Sequence, residues 1–410
     1  MKIILMIVLF SALTYGIDFN YKMENNIRLS SSSYSIKDSP KNKDITDNLV
    51  RSEYRNYLNL YIDKYLFIAS GISVFDNDKE IPNDRTGDFY LNQSKSGIII
   101  EKLYGQLLLY KSDNKISLVY GVIPLSGGNF KKFSRYNEER GNGLFTLINL
   151  SLKGGFLVCS NEHYNLRIGQ AKWDDSFYND ENLAKNNEGS NGTFIFYDYT
   201  IGKHLIELNY IQAEFKKDNY KIGNDTLYGL GYSYDDSEVT GWSIYTILGY
   251  SSFKSNTYDW LENSGKYNDN TIKTIKMVNK YKPDEYNFNN DKWYGYSILL
   301  GIKKLMDLKG KDVTLGLEYY KASNNWVSMN IGTVNSGNSY GYWKHRGGNT
   351  IKIYNDIYLM KNFIIHTDYT YSYNLKSAKL GSIADTSNNS NIKDLYKKEN
   401  ILSFELIYKF

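Results

Sequence analysis

Leu402-Ser403-Phe404-Glu405-Leu406-Ile407-Tyr408-Lys409-Phe410 alternates strictly. Leu402, Phe404, Leu406, Tyr408 and Phe410 fall on every second position, so in a strand they share one face. Ser403, Glu405 and Lys409 occupy the other. A soluble strand has no need of an aromatic residue completing such a stripe. A strand with lipid on one side and water on the other does need it.

At the other end, Lys2 precedes the apolar run Ile3 to Leu13, and Thr14 and Gly16 supply small residues at the positions before a cleavage point. This pattern reads as a secretory signal peptide over residues 1–16, with the mature chain beginning at Ile17. The run is shorter than the roughly 20 apolar residues of a spanning helix. Export with membrane residence therefore implies strands, and residues 17–410 read as one outer-membrane β-barrel domain.

Composition agrees. The chain carries 40 Tyr and 18 Phe but only 4 Pro and 4 His. Tyrosine suits a membrane interface, where the ring is buried and its hydroxyl stays wet. The aromatic content argues against disorder. A single cysteine, Cys159, leaves no internal disulfide framework.

Alternating segments recur, and their connections switch between short and long. Short turns fall at Asp63-Lys64, Ser112-Asp113-Asn114, Glu162, Gly202-Lys203, Asp235 to Gly241, Asp307 to Lys311 and Met360-Lys361-Asn362. The pattern predicts sixteen antiparallel strands, eight long outer loops and seven short inner turns. Fourteen and eighteen strands are the alternatives, because strands eight and ten alternate least clearly. In strand six, Leu144, Ile148, Leu150, Leu152, Phe156 and Val158 share one face; in strand two, Arg51, Glu53, Arg55 and Asn59 face inward, opposite Tyr54, Leu58, Leu60 and Ile62. The fold class is all-β, an up-and-down transmembrane barrel wide enough to leave an aqueous lumen.

The terminal segment resembles the signal strand of Gram-negative outer-membrane β-barrels, which the barrel-assembly machinery reads by its last aromatic residue. On that resemblance Leu402, Phe404, Leu406, Tyr408 and Phe410 form the assembly signal. Pro124 to Gly128, in a long loop from Leu125 to Asn142, is similar to the third loop of general diffusion porins, which folds inward and narrows the channel. The acidic residue expected after Pro124 is replaced by Leu125, leaving Glu138 and Glu139 to supply negative charge. The resemblance implies a constriction of Lys131, Lys132, Arg135, Glu138, Glu139 and Arg140, facing a wall of Arg28, Arg51, Arg55 and Arg167. A solvated outer loop, and arginines paired locally with Glu24 or Glu53, form the competing reading.

The resemblance further implies passive diffusion of ions and small polar solutes, contact with outer-membrane lipid and lipopolysaccharide, and a homotrimer. A surface receptor or adhesin acting through the outer loops is the alternative function. Four scattered histidines with no evident Ser/His or Asp/His pair argue against an enzyme. Asp76, Asp78, Glu80 and Asp84 lack the spacing of a calcium loop. No metal, cofactor or nucleic-acid motif is expected.

Overall fold

The computed structural model describes residues 19–37, 45–62, 65–77, 96–127, 148–172, 191–217, 220–256, 262–263, 268–273, 292–323, 325–326, 348–374 and 398–410. They form sixteen strands: β1 (Phe19–Lys37), β2 (Ile45–Ile62), β3 (Leu66–Asn77), β4 (Ser96–Lys111), β5 (Lys115–Gly127), β6 (Ile148–Ser160), β7 (Tyr164–Lys172) and β8 (Asn191–Ile201). The second half comprises β9 (His204–Lys217), β10 (Tyr220–Asp236), β11 (Trp242–Ser255), β12 (Lys292–Asp307), β13 (Asp312–Ala322), β14 (Gly348–Met360), β15 (Phe363–Tyr373) and β16 (Lys398–Lys409). Each pairs with its sequence neighbours, and β1 pairs with β16, so the sheet closes into a barrel with no free edge. Closure satisfies every ladder hydrogen bond, as a membrane interior demands. Phe410 completes the seam by exchanging two 2.9 Å backbone hydrogen bonds with Asn25.

The terminal stripe faces outward as expected: Leu402, Phe404, Tyr408 and Phe410 are exposed on the lipid side, while Ser403 and Glu405 are buried opposite them. Trp242, Ile244, Leu248 and Tyr250 repeat the pattern on β11. Trp242 and Tyr250 lie eight residues apart, about 26 Å of strand. At a tilt of about 40° this gives an apolar band roughly 20 Å tall, near the height of a barrel's lipid belt. The rings form two tiers. Tyr210, Tyr228, Tyr250 and Tyr294 run across β9 to β12 at successive centroid separations of 5.4, 6.2 and 6.2 Å. Nearer the short turns lie Tyr164, Tyr197 and Tyr199, with Tyr408 stacked on Phe410.

The structure assigns the shared face of one strand and corrects two expectations. Phe156 and Val158 face inward: Phe156 is buried beside Phe194 at 6.2 Å, and Leu157 takes the lipid side. The inner wall is itself apolar here, so hydrophobicity alone could not orient the strand. The connection between β9 and β10 is two residues rather than a long loop, because both strands stay paired up to Lys217 and Tyr220. Glu214 bridges Lys216 and Lys221 near that tip. Pro124 to Gly127 belong to β5, paired with β6, rather than to the following loop.

On β2, Tyr54 is exposed while Leu60 and Ile62 are buried, and Tyr61 packs on Phe67 at 5.0 Å. The two-residue turn Gly202-Lys203 places Gly202 at a φ of 55°, which favours glycine. Residues 1–16 lie outside those described.

Candidate pore wall

Alternation puts charged side chains of β13 to β16, β1 and β2 on the inner face, and the register then joins them. On β2, Arg55 donates to both oxygens of Glu53, at 2.9 and 3.3 Å. Arg51 approaches the same carboxylate at 3.6 Å. Arg28 of β1 is the direct cross-strand partner of Glu53 and lies 3.7 Å from Glu405 of β16. All five side chains are buried. A buried charge is tolerable only when paired, and here one glutamate serves three guanidiniums.

The row continues into β15 and β14. Glu405 is the cross-strand partner of His366. The imidazole lies between two carboxylates, with Nδ1 2.5 Å from Asp356 and Nε2 2.9 Å from Asp368. Further round, the Tyr245 hydroxyl of β11 donates to Glu318 of β13, whose cross-strand neighbour is Lys352 of β14. Tyr245 reaches across β12 because residue 301 is glycine; a Cβ there would run into the ring. Gly316 gives Tyr354 the same clearance.

The other half of the wall is different. Val119, Leu152, Phe156, Phe194, Ile211 and Leu227, from β5 to β10, are buried on the inner face. Phe194 and Phe196 stack at 6.2 Å, and the Arg167 guanidinium covers Phe196 at 5.1 Å. Asp225 of β10 sits at the end of this arc, fully buried and without a side-chain partner.

Of the expected wall residues, Arg28, Arg51 and Arg55 form one buried cluster. Arg167 lies apart on β7, partly exposed and bonded to Asp198 at 2.9 Å. Arg51 and Arg55 pair with Glu53, and Glu24 pairs with Lys22. Lys131, Lys132, Arg135, Glu138, Glu139 and Arg140 lie outside the described residues. Sequence reasoning missed Asp356, Glu405 and Glu318 as partners. Their inward positions were readable, but the cross-strand register that joins them was not. No cluster of three or more metal-ligating side chains occurs among the described residues.

No protein-family model matches the chain, and no curated protein sequence matches it. Solved structures do. An anion-selective porin from Comamonas acidovorans superposes with a TM-score of 0.54 at 9% identity, covering 96% of this chain and 100% of that one. OprB of Pseudomonas putida gives 0.54 at 8% identity, over 95% and 94%. OmpT, an outer membrane protein of Vibrio cholerae in trimer form, gives 0.51 at 8%, over 96% and 99%. At such identities the likeness speaks for the fold. The chain has the sixteen-stranded transmembrane barrel architecture of outer-membrane porins.

Proposed function

We propose that this barrel resides in the outer membrane and lets ions and small polar solutes pass by passive diffusion. The observation that carries the reading is a closed sixteen-stranded sheet with an ionic arc on its inner face. A barrel of that width leaves a lumen that its own side chains do not fill. Its selectivity depends on the charges and width of the narrowest section. The candidates for that section are Lys131, Lys132, Arg135, Glu138, Glu139 and Arg140. Similar barrels are described as an anion-selective porin and as a trimer form, which supports a channel and a homotrimer. The reading includes no catalysis: His366 is buried in the wall and held by two carboxylates.

Planar-bilayer recording of the purified protein under a salt gradient tests the proposal. Stable conductance steps are expected, with steps grouped in threes for a trimer. Replacing Arg135 and Arg140 with Gln should shift the reversal potential. Silence from demonstrably folded protein would overturn the channel and bring forward a receptor acting through the outer loops.

A further inference from the structure

The apolar arc of the inner wall carries a carboxylate that packing does not explain. Asp225 stands on β10 between its direct cross-strand partners, Ala213 of β9 and Phe253 of β11, and is fully buried. Beyond the nearby backbone N–H of Thr226, neither carboxylate oxygen has a hydrogen-bond partner among the described residues. The inward positions beside it, Asn209, Ile211 and Ala213 on β9 and Ser251 and Phe253 on β11, bring no positive charge. A desolvated, unpaired carboxylate is costly, so this position calls for a cation or a proton.

A row of small residues leads to it. Gly154 of β6, Ala171 of β7, Gly192 of β8 and Ala213 of β9 stand on the level of Asp225, each the direct partner of the next. From β6 to β10 the row spans roughly 19 Å at the usual strand spacing. The next level toward the short turns is bulky, with Phe156, Phe194, Ile211 and Leu227, and the Phe194 ring leans over Gly192, where a Cβ would meet it at 2.8 Å. Toward the outer end, Phe253 leans over Gly223, where a Cβ would meet its ring at 2.5 Å. Gly223 faces the same way as Asp225, one level nearer the two-residue connection of β9 and β10. The ring thus roofs the carboxylate from the outer side, and a change of its rotamer uncovers it.

We propose that Asp225 binds the ammonium head of a small organic amine, with Phe253 closing over the head and the apolar body lying along Ala213 and Gly192. The inference rests on the open lumen proposed above. The surroundings select this occupant. A hard metal ion takes about six oxygen ligands, whereas the side chains of Ala213, Gly223, Leu227 and Phe253 offer none. An ammonium accepts an aromatic face in place of water, and the attraction grows as water is excluded. Its apolar body suits a row of methyls and bare backbone flanked by phenylalanines. A bound proton is the rival means of neutralising the carboxylate.

The test uses the full-length barrel refolded in detergent, with phenethylammonium chloride as the probe and 2-phenylethanol as its uncharged control. Calorimetry should show one site per chain for the amine and at least about tenfold weaker binding of the alcohol. Asp225→Asn, which keeps the shape of the side chain, should weaken the amine by the same factor, and Phe253→Leu by a few-fold. In planar bilayers, amine added on the outer side should interrupt the current of the wild type and leave that of Asp225→Asn steady. Equal binding of the amine to the wild type and Asp225→Asn, or equal binding of amine and alcohol, would overturn the proposal. Competition by ammonium chloride at the same concentration would overturn the organic class and leave an inorganic cation contact. Absence of binding would overturn the site outright and make Asp225 a protonated group of the wall. If Phe253→Leu fails to fold, Asp225→Asn and the alcohol still decide. Calorimetry and conductance together separate the two readings: a silent barrel that binds the amine breaks the channel alone, and a conducting barrel indifferent to it breaks this site alone.

Discussion

The two arcs of the inner wall are built from the same strand geometry but hold together by opposite means. From β13 round to β2 the wall is a chain of paired polar and charged groups, Glu318, Asp356, His366, Glu405, Arg28 and Glu53. From β5 to β10 it is a packed sheet of Phe156, Phe194, Phe196, Ile211 and Leu227. Each member of the ionic arc depends on a particular partner, so its failures are specific. The apolar arc is non-directional, and a loss there scales with the volume removed. Both arcs can give the lumen a field, because Arg167, Asp198, Glu207 and Asp225 also stand on the inner face of β7 to β10.

Glu53→Ala should break the comparison hardest. It strips the shared counter-charge from Arg28, Arg51 and Arg55, and leaving buried charges uncompensated costs about 3–5 kcal/mol. Urea unfolding of the refolded barrel reads the loss, and the reversal potential should move toward anions. An unchanged unfolding midpoint would mean that these contacts contribute nothing.

Phe194→Ala should come close in stability, at about 3–5 kcal/mol for the cavity it opens. Its reversal potential should match the wild type, because no charge changes. A shift there would show that the apolar arc also shapes the ion path.

A smaller effect is expected from Glu318→Gln, which weakens the Tyr245 bond by about 2 kcal/mol. The variant Tyr245→Phe should then add little on top of it, a non-additivity that a double-mutant cycle measures.

The smallest effect belongs to the half-exposed turn pair Lys203–Asp236 at the rim. Their mutual hydrogen bond, aided by charge and opposed by desolvation, holds Lys203 above its ordinary range and Asp236 below. The contribution from Asp236 is therefore present above the usual carboxylate range and is lost as pH falls through its folded value. That from Lys203 is lost as pH rises through its own. From about pH 5 to about pH 9 the unfolding midpoint should show no dependence that Lys203→Gln removes. Such a dependence would mean that the turn matters more than an exposed pair should.

The seven short turns and the lipid faces of β11 and β16 were legible because each depends on residues next to one another in sequence. Glycine or Asp/Asn marks the turns, and period-two apolar positions mark the faces. The orientation of β6 was not legible. Phe156 and Leu157 are both apolar, so the binary pattern carries no sign of which side is lipid. The wall arginines were legible as inward-facing, but whether they line a lumen or pair locally with Glu24 or Glu53 was left open. Arg28 meets Glu405 only because β1 and β16 close the barrel, joining residues at opposite ends of the chain.

By itself, then, the sequence determined strand content, strand number and the exposure of the terminal stripe, all consequences of local alternation and turn chemistry. Tertiary structure alone decided the pairing of Asp356 with His366, the division of the wall into two arcs, and the row of small residues that ends at Asp225. These depend on cross-strand register, which is set by closing sixteen strands at once and is written in no single stretch of residues.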